Sequence, residues 1–278
     1  MKKRIFTFWE PSENIPGYLD LCVETWKKFL PDYEIIILDY KNIDKYLGKN
    51  YFDKTLYSDY SLAKQADAIR CAILKKYGGI WLDLDTIITS NNFENIINNI
   101  DSDFVMFRKH LGFIYAKPDA QKLFLWEKAI HQRLKWYRIL NHTCKPLREI
   151  IRIFNKEYIN NTKAWNSLGN GLLNPLLDNT NTKEFLSLSV SEYHVMPEYE
   201  MSSLEKWKIE DTNRMFAKDK IIFKKFYLEN DYSEYILNTS KGIILLHNSR
   251  VPKEYKELAE EDFLKLDNTL SNIFKKLL

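Results

Sequence analysis

Cysteine is scarce in this 278-residue chain, with only Cys22, Cys71 and Cys144, and none of them stands at C-x-x-C spacing. Cys22 and Cys71 fall within stretches that read as apolar helix. Buried free thiols are therefore expected in place of disulfides or a zinc site, which favours a reducing compartment. Long apolar runs are missing as well. No segment approaches the roughly 18 to 20 uninterrupted apolar residues of a membrane span. The start, Met1-Lys2-Lys3-Arg4, leads only into Ile5-Phe6-Thr7-Phe8-Trp9 before Glu10 and Pro11, too short for the apolar core of a secretory signal. The expected location is cytoplasmic. Charge of one sign is also lacking: 41 basic and 38 acidic residues leave a net +3, without the basic excess that nucleic acid binding calls for. There is no internal repeat and no low-complexity linker.

What the chain does have is an ordinary globular balance, 45% hydrophobic and 28% charged, and enough length to bury a substantial core. One domain spanning 1–278 with a helical elaboration is the expectation. Residues 4–9 read as a short buried strand. A helix follows from about Pro16 to Phe29, with Leu19, Cys22, Val23, Trp26 and Phe29 on one stripe. Glu34 to Leu38 is a second buried strand, so strand, helix and strand within 40 residues open an α/β sheet. Ser61 to Tyr77 is the clearest helix, its Leu62, Ala66, Ile69, Ile73 and Tyr77 recurring along one face. Gly78-Gly79 supplies the left-handed stop that glycine makes without strain. Ile80-Trp81-Leu82 is then a strand feeding Asp83-Leu84-Asp85, which sets two carboxylates at a strand's carboxyl end, where open α/β sheets place ligands.

Strands are also expected at Phe104–Phe107 and Gly112–Ala116, helix over most of 119–158, a turn at Gly169-Asn170-Gly171, and strand character at Phe185–Val190, Tyr193–Pro197 and Ile243–Leu246. The chain closes in an amphipathic helix from about Glu254 to Leu278. That basic, apolar-faced helix suits docking on its own domain, or peripheral contact with an anionic membrane.

Chemistry concentrates at a few positions. Asp83 and Asp85, one residue apart on a strand, project to the same side. Two such acids repel unless a cation lies between them, and oxygen donors favour a hard ion such as Mg²⁺ or Mn²⁺; a pair like this also occurs as a plain turn cap. Asp67 and Arg70, three apart, share a helical face beside the core stripe, a pairing that suits sugar hydroxyls or is a simple i,i+3 ion pair. Phe8-Trp9 at the first strand end is core or a stacking platform. His247, just after a late apolar strand, is a ligand or a structural histidine.

Taken together, Ser61-Leu62-Ala63-Lys64-Gln65-Ala66-Asp67-Ala68-Ile69-Arg70-Cys71, then Leu74 and Tyr77-Gly78-Gly79-Ile80-Trp81-Leu82-Asp83-Leu84-Asp85, resemble the signature of the DXD-containing glycosyltransferases. That group takes in bacterial capsular polysaccharide synthesis proteins, yeast mannosyltransferases and, more remotely, the glucosyltransferase domain of large clostridial toxins. The resemblance implies a GT-A α/β fold, a nucleotide-sugar donor such as a UDP-hexose, Mn²⁺ or Mg²⁺, an oligosaccharide or lipid-linked glycan acceptor, and retention of anomeric configuration. It would make 1–116 the nucleotide-sugar-binding half, 117–240 the acceptor side, and 241–278 the part that completes the metal shell. By position, Asp67 and Arg70 would bind the donor sugar, Asp83 the ribose or sugar, and Asp85 the metal, with His247 as third ligand and Asp83 assisting. Phe8 and Trp9 would stack on the base, Ser249 would touch the diphosphate, and Leu62, Ala66, Leu84 and Asn170 would line the donor pocket. Relatives often carry a tryptophan after that serine; here Arg250-Val251-Pro252-Lys253 follows, leaving Arg250 or Lys253 to meet the β-phosphate. A haloacid-dehalogenase-like phosphatase, which also uses D-x-D, would need its pair nearer the N-terminus and a late acidic pair in place of His247-Asn248. A non-catalytic nucleotide-sugar-binding module is the other alternative.

Overall fold

In a computed structural model the protein is described over residues 2–107, 110–154, 167–178, 185–188, 223–240 and 242–278. The expected strand Tyr193–Pro197 lies outside them. Packing divides the chain into two compact units interleaved in sequence. Unit 1 comprises Met1–Ser12, Glu34–Trp81 and Asp101–Ser187; unit 2 comprises Glu13–Tyr33, Leu82–Ile100 and Leu188–Leu278.

Unit 1 is built on a six-stranded mixed sheet. Its strands β1 (Arg4–Phe8), β2 (Glu34–Leu38), β3 (Gly79–Leu82), β5 (Phe104–Phe107), β6 (His110–Ala116) and β7 (Phe185–Leu188) lie in the order β2-β1-β3-β6-β5-β7. β1 runs parallel to both β2 and β3, whereas β5 and β6 are antiparallel. The parallel strands are apolar almost throughout, as strands covered on both faces must be. Phe6 and Trp81 are buried with Ile36, Leu38, Phe104, Met106 and Ile114 in one core. That core is closed by α4 (Leu62–Tyr77) and α6 (Gln121–Asn141), with the short α2 (Ile43–Leu47) and α3 (Thr55–Asp59) beside α4 and α6, and with α7 (Lys145–Phe154) following α6.

Helix α4 ends where its sequence says it must. Gly78 adopts φ 62° and donates its N–H to Leu74 O at 2.8 Å; Gly79 follows at φ 102°. A Cβ on Gly79 would stand 2.8 Å from Arg4 O, so β3 can lie this close to β1 only with glycine there. The expected stripe needs one correction. Leu62 is 44% exposed, because it occupies the first turn of α4, ahead of the part that reaches the core. A second correction concerns Asn170, which is not in a simple glycine turn but opens helix α8 (Asn170–Asp178); the N–H groups of Leu172 and Leu173 donate back to Gly169 O.

Unit 2 centres on α1 (Gly17–Phe29), which packs on β4 (Thr86–Ile88). β4 pairs antiparallel with β8 (Ile243–Leu245). Trp26 donates its indole N–H to Thr86 O at 2.6 Å, and Thr25 Oγ1 accepts from Ile88 N at 3.0 Å. Cys22 of α1 is buried and free, as is Cys71 in unit 1. Helices α5 (Asn92–Asn98) and α9 (Ser233–Thr239) belong to the same unit. The single C-terminal helix expected from 254 is three, α10 (Lys253–Lys256), α11 (Glu260–Leu264) and α12 (Thr269–Leu277). Pro252, Ala259 and Asn268 are extended, and the Asn268 side chain caps α12 by accepting from Ser271 N. The apolar face of this segment, Phe263, Leu270, Ile273 and Phe274, is buried within the protein. No helix among the described residues is long and apolar enough to cross a membrane.

Candidate active site

The candidate residues fall into two groups, one in each unit. In unit 1, α4 presents Asp67 and Arg70 one turn apart. Arg70 is 4% exposed, and its guanidinium is held from several sides. It lies 3.5 Å from the Asp67 carboxylate and donates to Leu111 O. Its Nε donates to Ala66 O at 3.3 Å, and it stands 5.0 Å above the Trp81 ring. A guanidinium so held acts as a fixed strut for the carboxylate beside it. Gly169 completes this corner: a Cβ there would come 2.7 Å from Asp67 Cγ and 2.7 Å from Leu111 Cδ1. Sequence spacing alone did not link residue 169 to residue 67. Ala66 is half-buried, and Asn170 has a buried Oδ1 without a hydrogen-bond partner.

At the carboxyl end of β1, Phe8 is buried rather than presented, while Trp9 is half-buried and donates its N–H to Leu38 O at 3.0 Å. The aromatic that stands out is Tyr40, just past β2: it is 41% exposed, its ring lies 6.0 Å from Phe8, and its hydroxyl donates to Gln65 Oε1 at 2.5 Å. Tyr40 was not singled out from the sequence. Its position two residues beyond a parallel strand's carboxyl end was the available signal.

In unit 2, Asp83 is the first residue beyond β3, and Leu84-Asp85 form the turn into β4. The acids therefore leave the strand rather than alternating along it, yet the same division of faces survives: Leu84 is buried and both acids are half-exposed. Asp85 is joined to the late motif. Its Oδ2 accepts from the backbone N–H of Asn248, 163 positions away, and its carbonyl accepts from Leu246 N at 3.0 Å. His247, half-buried, precedes the short turn Asn248–Arg250. Ser249 is exposed and, with Lys224, Arg250, Val251, Pro252, Lys253 and Lys256, lines an open cleft of about 460 Å³. Four of those seven residues are cationic, which suits a phosphate-bearing ligand.

The expectation of a three-residue metal shell is not met in closed form. Among the described residues no three of His, Cys, Asp and Glu stand together as a metal-holding group; one oxygen of Asp85 is turned to Asn248 N–H instead. What remains is an acidic pair in a turn. That fits a Mg²⁺-like ion held by one or two carboxylates together with substrate phosphates, and not an ion caged by the protein alone.

Residues 1–168 match the family described as "Capsular polysaccharide synthesis protein", and the chain belongs to that family. Membership ties it to capsular polysaccharide synthesis. Among solved structures it is similar to a glycosyltransferase involved in the glycosylation of the major capsid of PBCV-1, at 10% identity and TM-score 0.43, over 92% of this chain and 98% of that one. It is also similar to the glycosyltransferase GlyE of Streptococcus pneumoniae TIGR4, at 11% identity and TM-score 0.45, over 99% of this chain and 63% of that one. The third is an active-site mutant of LgtC, at 9% identity and TM-score 0.43, over 99% of this chain and 94% of that one. No curated protein matches the chain in sequence.

Proposed function

We propose that this protein is a metal-dependent, retaining glycosyltransferase of the GT-A type, moving a hexose from a UDP-sugar to an oligosaccharide or lipid-linked glycan acceptor. The observation that carries the reading is the hydrogen bond from Asn248 N–H to Asp85 Oδ2. It brings the two stretches that carry the resemblance, Asp83-Leu84-Asp85 and His247-Asn248-Ser249, into one place.

A bound Mn²⁺ or Mg²⁺ would neutralise charge developing on the diphosphate as the glycosidic bond breaks. Asp85, with Asp83 assisting, would hold that ion, and His247 is the third candidate. Ser249 and the cations Arg250 and Lys253 would bind phosphate oxygens, stabilising the leaving group electrostatically. Asp67, braced by Arg70, would accept hydrogen bonds from the donor sugar. Tyr40 offers a ring face to the base, a role that the family resemblance gives to Phe8 and Trp9. No side chain need act as a nucleophile. Retention follows if the acceptor hydroxyl approaches from the face the diphosphate leaves and passes its proton to a phosphate oxygen.

The test is a screen of nucleotide-sugars for UDP release with and without Mn²⁺, followed by the anomeric configuration of the product. Metal-stimulated release from a UDP-hexose supports the reading. Binding of the donors without release under any condition would instead leave a nucleotide-sugar-binding module.

A further inference from the structure

A second residue stands behind Asp85, and it lies far from every motif in the sequence. Tyr18, the second residue of α1, is 0% exposed, and its hydroxyl donates to Asn248 Oδ1 at 2.5 Å. The same Asn248 donates its backbone N–H to Asp85 Oδ2. The asparagine is thus gripped on its side chain by a buried phenol while its main chain grips the carboxylate. The phenol is itself fixed, because the Tyr18 ring stacks on Phe263 of α11 with centroids 5.8 Å apart and planes 28° apart. Eight residues along the same helix, two turns away, Trp26 donates to the carbonyl of Thr86, the residue that follows Asp85. One helix therefore holds the Asp85 turn at two points.

Resting on the reading of Asp85 as a metal ligand, we propose that Tyr18 is a positioning residue, which orients Asn248 and through it sets the Asp85 carboxylate for the divalent cation. The physical reason is geometric. A turn carrying one charged ligand has many near-equivalent rotamers, and outer groups that hydrogen-bond a ligand or its neighbour restrict it to the binding one. A buried tyrosine hydroxyl serves this well, because breaking the bond would leave that hydroxyl unsatisfied away from water, whereas the half-buried Asn248 side chain can turn to solvent. Nothing in the core requires a hydroxyl at position 18, since phenylalanine would stack on Phe263 equally well.

The test uses the whole protein, Mn²⁺ as the probe and saturating UDP, with free Mn²⁺ followed by electron paramagnetic resonance. Tyr18→Phe keeps the ring and removes only the hydroxyl. The expected result is Mn²⁺ binding weakened about tenfold or more with the thermal midpoint nearly unchanged. Asn248→Ala should weaken it to a similar degree, and the double variant little further, because the two residues act in series. Should Tyr18→Phe fail to fold, Asn248→Ala carries the same expectation alone. A wild-type Mn²⁺ affinity in the folded variants, with binding abolished in Asp85→Asn, overturns the inference and leaves the metal assignment standing. Wild-type affinity in Asp85→Asn as well overturns both.

Discussion

Gly169 lies directly against the carboxylate of Asp67, with room between them for a hydrogen and not for a methyl group. Gly169→Ala should therefore push Asp67, and with it Leu111, out of place. Overpacking of this kind costs about 1–3 kcal/mol, so the thermal midpoint should fall modestly. Turnover of the sugar donor should fall much further, by tenfold or more, if Asp67 meets the sugar. An unchanged donor KM and kcat would remove Asp67 from the donor site.

Arg70 invites a different experiment. Its guanidinium is buried beside Asp67 and bonded to two backbone carbonyls. Arg70→Ala would take the guanidinium from beside a largely buried Asp67, and breaking a buried pair in this way costs up to about 3–5 kcal/mol. Thermal denaturation should show that loss, and donor turnover should fall with it. Arg70→Lys should restore part of the stability but little of the activity, since a lysine cannot reproduce the planar fork. Full activity in the lysine variant would mean that Arg70 supplies charge and not geometry.

Asp85→Asn removes a charge and no volume, and the amide oxygen can still accept from Asn248 N–H. Metal-stimulated UDP release should be abolished while the thermal midpoint stays within a few degrees of wild type. Retained metal stimulation in that variant would refute the role given to Asp85.

Acid should destabilise the protein in a predictable window. The Asp53 carboxyl is held below the usual carboxylate range by the Thr55 hydroxyl and N–H, then by Arg138; Asp231 is held down chiefly by Ser233, whose N–H donates to Asp231 Oδ1 at 2.9 Å. A carboxyl with a lowered folded-state value contributes stability that is fully present above its unfolded value, about 3.9, and is lost as pH falls through the folded one. Thermal midpoints should therefore be level near neutrality and decline below about pH 4. Asp53→Asn should flatten that decline, and an identical acid limb in the variant would deny Asp53 a share in it.

The C-terminal segment yields a stability prediction. Phe274 is wholly buried, with its ring 6.1 Å from Phe263. Phe274→Ala should cost about 3–5 kcal/mol in denaturant unfolding. A near-neutral result would show that this face does not pack against the protein.

Much of the framework was legible because it is local. The strands at 4–8, 34–38 and 79–82, the helix at 62–77 and its glycine stop all follow from periodicities and punctuation within a few residues of where they act. The C-terminal region reads as one helix in sequence because apolar spacing persists through Ala259 and Asn268, while the breaks depend on extended backbone and on the Asn268 cap. Leu62 fits the stripe by spacing but falls outside the core by position. Within the candidate site, Asp67, Arg70, Asp83 and Asp85 sit close together in sequence and could be found as motifs. Gly169, Tyr40 and Tyr18 could not. Each acts through a partner distant in sequence, Tyr18 across 230 positions from Asn248, and no local pattern encodes such a pairing.

The interleaving of the two units also constrains the order of assembly. Residues 13–33 are made early, yet their partners lie at 82–100 and beyond 188. During synthesis α1 must wait through most of the chain before Asn248, Phe263 and the last helix reach it. Closing so long a loop adds to the entropic barrier. Unit 1 can gather nearly all of its residues first, so the part that carries Asp85 should mature last. A nascent chain halted near residue 190 would carry Asp83 and Asp85 with neither the Asn248 N–H that bonds Asp85 nor the strand that pairs with β4.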